Sequence, residues 1–296
     1  MNPYKQYKYT QEPITYSVVM PVYNQESILV PNVQSVLDCT QGSFELIVIL
    51  DYCFDNSERN LLTFVESLKP PPTLVQITIF KTEYPLFETK CDNIGFRFAT
   101  GTYCLEIQAD MKMVEPGYNL HLVKPFLQYD NIIAVSGRCA HNMFTGEGIG
   151  KLGAAVERPL AELGISKNSF YVFETCNRGP LLLDRSKLAE LQFLDEENYF
   201  LDDSDHDLMA RAYLTKGYLC GYVPIEFESP LQHGSVRNRN PYSFCKGFQI
   251  NHNEKMRRRA QPTQGLRKYE ATWISRQPLV LPLANTVATD RDASLL

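Results

Sequence analysis

Three side chains with binding chemistry stand close behind apolar runs of the chain: Tyr23, Asp51 and Asp110. An aromatic ring such as that of Tyr23 packs against a flat nucleobase, and a carboxylate such as that of Asp51 accepts a hydrogen bond from a base N–H. The carboxylate of Asp110 suits a divalent cation that neutralises phosphates. Gln108 occupies the position, two residues earlier, where a second acid would help to hold that cation. Together these residue types favour a nucleoside diphosphate ligand.

The elements that must position these side chains alternate along the first half of the chain. Short apolar runs predict buried strands, and apolar residues at helical spacing predict helices between them. The predicted strands are 16–22, 44–51, 74–80 and 102–107, and the predicted helices are 26–39, 57–68 and 91–99. This alternation predicts an α/β fold with a mostly parallel central sheet and helices on both faces. The carboxyl ends of the strands then form one ligand crevice.

The second half of the chain is less regular. The predicted strands are 132–137, 179–184 and 218–224, and the predicted helices are 185–191 and 202–216. A glycine-rich stretch at 146–153 suggests a lid over a bound ligand. We expect a polar tail over 1–15, one domain over 16–235 with a donor half (16–112) and an acceptor half (113–235), and an extension over 236–296. That extension is basic and then Pro-containing, and we expect it to pack on the domain.

The composition is that of a globular protein, and it excludes several classes of function. A net charge of −5 argues against a general nucleic-acid binder, whose surface would be basic. No apolar run approaches the ~20 residues of a membrane span, and the N-terminus lacks the apolar core of a signal peptide. The eight cysteines form no C-x-x-C pair, so a zinc site is not expected. We therefore expect a cytoplasmic protein with no membrane span and no nucleic-acid partner, with peripheral membrane contact left open.

Five segments of the chain, in order, resemble the motifs of family 2 glycosyltransferases with the GT-A fold. They are 17–26 (SVVMPVYNQE), 45–57 (ELIVILDYCFDNS), 93–101 (NIGFRFATG), 108–110 (QAD) and 177–211. The last segment includes SDHDLMAR at 204–211, which is similar to the E-D-x-D-L-x-x-R signature of the family's acceptor half. Any one of these motifs is a weak signal, but five in the right order are a strong one.

The resemblance implies an inverting enzyme that moves a sugar from a nucleoside diphosphate sugar to a hydroxyl of a glycan, protein or lipid-linked acceptor. It implies Asp205 as general base and a Mn²⁺ or Mg²⁺ cofactor, with Asp110 and His233 as metal ligands. The implied donor-binding residues are Pro21, Val22, Tyr23, Asp51, Lys90, Asn93, Gln108, Ala109, Asp110 and Arg237. The implied acceptor-binding residues are Arg178, Gly179 and Asp207.

Several positions depart from the family's pattern. Leu50 replaces the first acid of a usual Asp-Asp pair, and Tyr52 and Cys53 replace the usual Gly-Ser, so we expect an altered base pocket. Asp92 stands where the family has an arginine, and Gln108 replaces the first acid of the D-x-D motif. These losses motivate an alternative function, a catalytically decayed protein that binds nucleotide sugars or serves as a scaffold.

Other interpretations also stay open at this stage. A nucleotidyltransferase would need a glycine-rich, basic phosphate loop after the first strand, and residues 21–26 contain neither glycine nor a basic residue. The acids crowded around Asp205 include structural helix-capping groups, since acidic residues stabilise a helix N-terminus. Aspartate is also common in turns, although the position of Asp51 at a strand end favours a binding role, and His233 is as typical of an ordinary loop residue as of a metal ligand.

Overall fold

The computed structural model describes residues 1–137, 166–173, 175–199, 204–229 and 279–284 of the 296-residue chain. Its strands are β1 (Lys5–Lys8), β2 (Tyr16–Val22), β3 (Phe44–Leu50), β4 (Leu74–Lys81), β5 (Tyr103–Glu106), β6 (Lys112–Met113), β7 (Ile132–Ser136), β8 (Ser169–Phe173), β9 (Leu181–Asp184), β10 (Leu219–Tyr222), β11 (Phe227–Glu228) and β12 (Leu279–Pro282). Its helices are α1 (Leu29–Cys39), α2 (Ser57–Ser67), α3 (Phe87–Phe98), α4 (Tyr118–Gln128), α5 (Arg185–Glu190) and α6 (Ser204–Lys216).

The central sheet has the strand order β1-β4-β3-β2-β5-β9-β7-β10-β8-β12 within the described residues. Strands β4, β3, β2 and β5 are parallel neighbours, and β10 is parallel to β7. Strand β9 is inserted antiparallel between β5 and β7. The two central strands β2 and β3 are almost wholly buried, as expected for parallel strands covered on both faces. The predicted α/β fold with a mainly parallel sheet is confirmed.

Helices cover the two faces of the sheet and divide its apolar side chains into two cores. On one face, Val18 and Met20 of β2 pack in the same cluster as residues of α1, α2 and α4. On the other face, Val19 packs with residues of α3, α5 and α6. This division follows from the alternation of side chains along a strand. Every helix among the described residues is too short or too polar to cross a lipid bilayer.

Helix α3 lies unusually close to strand β2. A Cβ atom added to Gly95 would meet Cγ1 of Val19 at 2.3 Å, which is far inside van der Waals contact. Glycine therefore sets the helix–sheet distance at this point. Because α3 carries several residues of the candidate site, that distance also sets where those residues lie relative to β2.

Some predicted boundaries differ from the structure. Residues 1–15 were expected as a polar tail, but Lys5–Lys8 pairs antiparallel with β4 as an edge strand. Edge strands carry charged side chains, so β1 has no apolar run to predict it. Strand β8 lies in a stretch where no element was predicted, and it pairs on both sides. Helix α3 begins at Phe87 rather than at 91, for a reason that lies in the candidate site.

Candidate functional site

The carboxyl ends of β2, β3 and β5 meet at one edge of the sheet, the donor rim. The backbone N–H of Asp51 donates to Val22 O at 2.8 Å, and that of Ile107 donates to Val19 O at 3.0 Å. These bonds continue the pairing of β2 with β3 and with β5 just beyond the strand ends. The segments that carry Tyr23, Asp51 and Asp110 therefore leave the sheet at the same edge, where ligands bind in α/β folds.

Asp51 is buried, with only 2% of its surface exposed. Its carboxylate accepts from Thr82 Oγ1 at 3.1 Å and from the backbone N–H groups of Leu86 and Phe87 at 2.7 and 3.0 Å. The N–H groups at a helix start have no intrahelical partner, so a carboxylate that binds them stabilises the first turn. Asp51 thus caps α3 from a distant strand, which explains why this helix begins before residue 91.

The Gln108–Asp110 segment forms the turn after β5. Met111 N–H donates to Gln108 O at 3.0 Å, and the Asn32 side chain donates to Ala109 O at 2.8 Å. The Gln108 amide donates to Glu88 Oε1 at 2.5 Å. Asp110 is half-buried at the rim. The turn therefore places Asp110 at the donor rim, while Gln108 joins β5 to α3.

Behind this turn lies a buried acidic cluster formed by Glu88, Asp92 and Glu106. One carboxylate oxygen from each lies within 4.8 Å of the others, a spacing that could hold a metal ion. Asp92 Oδ1 and Glu106 Oε1 are buried atoms with no hydrogen-bond partner among the described residues. The Arg178 guanidinium enters the cluster, 2.9 Å from Asp92 Oδ2 and 3.3 Å from Glu88 Oε2. A cationic side chain of the protein therefore already pairs with two of these carboxyl groups.

The electrostatics of the cluster follow from burial. Burial raises the pKa of Asp92 to about 8, although Arg178 acts in the opposite direction. Burial likewise raises the pKa of Glu106 well above its usual range, and the nearby carboxylates of Asp92 and Glu88 add to this effect. Burial acts to lower the pKa of Arg178, but the surrounding carboxylates outweigh it and raise that pKa. One guanidinium cannot neutralise three carboxylates, so the burial of Asp92 and Glu106 favours their protonated forms.

Arg178 and Gly179, both predicted to contact the acceptor, are tied into the fold by their own atoms. The Arg178 guanidinium is buried and also donates to Thr89 Oγ1 at 3.2 Å and, through a short contact, to Ser204 Oγ. The backbone N–H of Gly179 donates to Glu106 Oε2 at 2.7 Å. In the structure, the Arg178 side chain thus connects α3 to the start of α6.

The predicted base, Asp205, lies in the first turn of α6 and is 8% exposed. Its Oδ2 accepts from Arg178 N–H at 3.3 Å, and its Oδ1 accepts from His206 N–H at 3.0 Å. Asp207 is paired with Arg211 Nε at 2.7 Å, and Arg211 also donates to the carbonyl of Leu191 at 2.6 Å. Burial raises the pKa of Asp207, and the Arg211 partner offsets part of that rise. Asp207 therefore stabilises α6 through its ion pair with Arg211. The two contacts given for the Asp205 carboxylate are both with backbone N–H groups.

The remaining predicted residues divide into two groups. Asn93 is buried, and its amide bonds to both backbone groups of Leu194 and to Glu196, so the structure uses it to join α3 to the segment after α5. Lys90 is half-buried on α3, and Pro21 and Val22 end β2. His233, Arg237 and the glycine-rich 146–153 stretch lie outside the described residues.

Sequence reasoning missed Glu88, Glu106 and Ser204 as parts of this site. Glu106 offered a signal, because it is a charged residue inside an apolar strand, and a buried charge needs a partner. Glu88 and Ser204 gave none. Their importance comes from Arg178, which meets them only in the folded chain.

Comparisons with known proteins agree with this geometry. The sequence signature described as Glycosyl transferase family 2 matches residues 17–186, more than half of the chain. A curated relative from Escherichia coli, UDP-Glc:alpha-D-GlcNAc-diphosphoundecaprenol beta-1,3-glucosyltransferase WfgD, is 28% identical over 94 residues. That alignment covers 32% of this chain and 34% of the relative, so it spans about a third of the relative's length.

Two solved structures share the fold at low sequence identity. One is the mannosyltransferase PcManGT from Pyrobaculum calidifontis in complex with GDP-Man and Mn²⁺, with a TM-score of 0.56, 15% identity, and coverage of 76% of this chain and 59% of that chain. The other is GalNAc-T7 with UDP, GalNAc and Mn²⁺, with a TM-score of 0.54, 16% identity, and coverage of 75% and 44%. At these identities the likeness concerns the fold alone.

Proposed function

The chain belongs to glycosyl transferase family 2 and, on that premise, we propose that it is an inverting enzyme that transfers a sugar from a nucleoside diphosphate donor to an acceptor hydroxyl. The solved relatives of this fold carry GDP-Man or UDP in their structures, which motivates this donor class. The donor rim formed by Tyr23, Asp51 and the Gln108–Asp110 turn is the proposed donor site. The acceptor class stays as broad as the resemblance implies: a glycan, a protein or a lipid-linked sugar.

The observation that supports this proposal most is the position of Asp205. Two consecutive backbone N–H groups reach two different elements: Arg178 N–H binds Asp205 of α6, and Gly179 N–H binds Glu106 of β5. Strand β5 continues directly into the turn that carries Asp110. Residues 178–179 therefore fix the Asp205 carboxylate relative to the donor rim, as is required of a general base that activates an acceptor hydroxyl beside the bound donor.

In the proposed reaction, Asp205 takes the proton from the acceptor hydroxyl as its oxygen attacks the anomeric carbon. A new C–O bond forms on the face opposite the diphosphate while the bond from the anomeric carbon to the diphosphate oxygen breaks. The nucleoside diphosphate leaves with that electron pair, and the anomeric configuration inverts in a single displacement. A placed carboxylate base contributes typically ~10²–10⁴ in rate.

A divalent ion fits this rim at one residue in particular. Asp110 lies half-buried in the turn at this rim, and the oxygen ligands of a carboxylate suit Mg²⁺ and Mn²⁺. The buried acidic cluster is a poorer candidate, because the Arg178 guanidinium already lies 2.9 Å from Asp92. We propose that Asp110 is one metal ligand and that His233, which lies outside the described residues, is the second. When bound, the ion would stabilise negative charge on the departing diphosphate.

The decisive experiment compares Asp205→Asn with the wild type. We expect the variant to bind donor within about twofold of the wild type and to lose transfer by roughly 10²–10⁴-fold. Asp38→Asn, which alters an exposed helical aspartate of α1, is the matched control and should leave transfer unchanged. Transfer retained by Asp205→Asn would remove this residue from the role of base.

A parallel experiment tests the metal. Transfer should stop with EDTA and return on adding Mn²⁺ or Mg²⁺, and Asp110→Ala should weaken that rescue. Undiminished transfer in EDTA would refute the metal proposal and leave the base intact. Donor binding by the wild type with no turnover on any acceptor hydroxyl would instead favour a binding or scaffold protein.

A further inference from the structure

The loop after β3 presents two exposed aromatic rings at the donor rim. Tyr52 is 37% exposed and Phe54 is 39% exposed. Their ring centroids lie 5.9 Å apart with an interplanar angle of 74°. Phe54 also meets the Tyr23 ring edge-on at 5.9 Å and 84°, and its backbone N–H donates to the Asn24 side chain at 3.0 Å. The two rings are thus fixed to the ends of β2 and β3.

Tyr52 holds a backbone conformation that does not suit its side chain. Its φ is 53°, in the left-handed region that glycine adopts freely and that residues with a Cβ adopt at an energetic cost. Because over a third of the Tyr52 surface stays exposed, burial of the ring in the core does not account for the strain. Non-glycine residues held in this region cluster at functional sites.

The neighbouring Asp51 points to the same conclusion. Its carboxylate accepts hydrogen bonds from Thr82, Leu86 and Phe87, so a large part of its hydrogen-bonding capacity is committed to the start of α3. A base N–H must compete with those donors. An aromatic face beside Asp51 offers a flat ligand a contact that needs no vacant carboxylate oxygen.

We propose that Tyr52 and Phe54 form an aromatic platform, in which the base of the donor stacks on one ring and the other supports it. This inference rests on the proposed function and specifies its base subsite. Stacking accepts any base, because every base has a π-face. Since purines have the larger face, the platform should bind purine nucleoside diphosphates more tightly than pyrimidine ones.

The test uses calorimetric titration of the full chain, with Mn²⁺ present, against GDP, ADP and UDP. Tyr52→Gly should weaken GDP binding roughly 5- to 150-fold, the range that corresponds to loss of one base–aromatic contact. Its melting temperature should equal or exceed that of the wild type, because glycine relieves the left-handed strain. Phe54→Leu should also weaken binding, and Tyr52→Trp should retain it.

Phe193→Gly is the matched control. Phe193 also has a positive φ, 65°, but its ring packs on the core and 5.3 Å from the Arg97 guanidinium. Glycine there should lower the melting temperature and leave nucleotide affinity unchanged. Tyr52→Gly should thus lower nucleotide affinity without lowering the melting temperature, whereas Phe193→Gly should do the opposite.

The outcomes distinguish the inference from the proposed function. Nucleotide affinity unchanged in both Tyr52→Gly and Phe54→Leu would overturn the platform and leave the transferase proposal standing. UDP bound tenfold more tightly than GDP and ADP would also overturn it, because hydrogen bonds rather than stacking would then select the base. No binding of any nucleoside diphosphate by the wild type would refute the donor proposal itself. If Tyr52→Gly melts below the wild type, the nucleotide affinities of Phe54→Leu and Tyr52→Trp decide whether the platform binds the base.

Discussion

The buried acidic cluster predicts that the protein loses stability as the pH rises through neutrality. The folded state raises the pKa of Asp92 from 3.8 to about 8, so at neutral pH it retains a proton that the unfolded chain has released. A carboxyl group with a raised folded-state pKa contributes stability that is full below its unfolded pKa, near 4, and is lost as the pH rises through its folded pKa. The loss should therefore accumulate between about pH 4 and about pH 8, so a comparison across neutral pH measures it.

The size of the effect follows from proton linkage. Each pH step over which the folded state holds one extra proton changes the free energy of unfolding by about 1.4 kcal/mol. Between pH 6.5 and 8.5, a folded-state pKa near 8 gives a loss of roughly 2 kcal/mol for Asp92 alone. Glu106, whose pKa is also raised, adds to the loss in the same direction. For a chain of 296 residues, that loss corresponds to a fall in melting temperature of roughly 3 °C.

Asp92→Asn tests this reasoning directly, because asparagine resembles the protonated acid and does not titrate. Urea unfolding at pH 6.5, 7.5 and 8.5 should show a smaller loss in the variant, by roughly 2 kcal/mol over the range. Asp38→Asn, at an exposed position, should keep the wild-type slope. A wild-type stability that is flat or rises over this range would contradict the prediction, as would an unchanged slope in Asp92→Asn.

Three further substitutions test the packing and hydrogen bonds that hold the site. Gly95→Ala should destabilise the protein by about 1–3 kcal/mol in urea unfolding, because the new methyl group meets Val19 at 2.3 Å; unchanged stability would mean that α3 can shift away from β2 without cost. Arg178→Met should cost about 3–5 kcal/mol in urea unfolding, since it leaves the Glu88 and Asp92 carboxyl groups without their cation. A variant as stable as the wild type would mean that the ion pairs of Arg178 contribute no net stability. Asn93→Ala should cost about 1–3 kcal/mol, because the buried backbone groups of Leu194 lose their partners. If Asn93 also contacts the donor directly, the folded variant should bind nucleotide more weakly than the wild type in a titration.

Much of the first half of the fold could be predicted from the sequence. Parallel strands buried on both faces are continuous apolar runs, so β2, β3, β4 and β5 were predicted to within one or two residues. The ends of these strands identified Tyr23, Asp51 and the Gln108–Asp110 turn as neighbours, because parallel strands bring their carboxyl ends to one edge. The five ordered motifs identified the family.

The helix starts and edge strands were less predictable. Helix α3 begins early because Asp51, more than thirty residues before it in the chain, accepts the N–H groups of Leu86 and Phe87. No local pattern encodes a cap that arrives from another strand. Strand β1 is an edge strand with little apolar surface, and the hydrogen bonds that define it come from β4.

The sequence by itself determined which strands and motifs follow one another along the chain. From these it predicted the family and the edge of the sheet where the donor should bind. Only the tertiary structure decided how the charges are matched there. In the sequence, Asp92 is notable only because it replaces an arginine of the family's pattern. In the folded chain its carboxylate pairs with Arg178, 86 residues away. Hydrogen bonds and ion pairs depend on distances of about 3 Å between atoms, and the fold alone sets such distances between residues far apart in the chain.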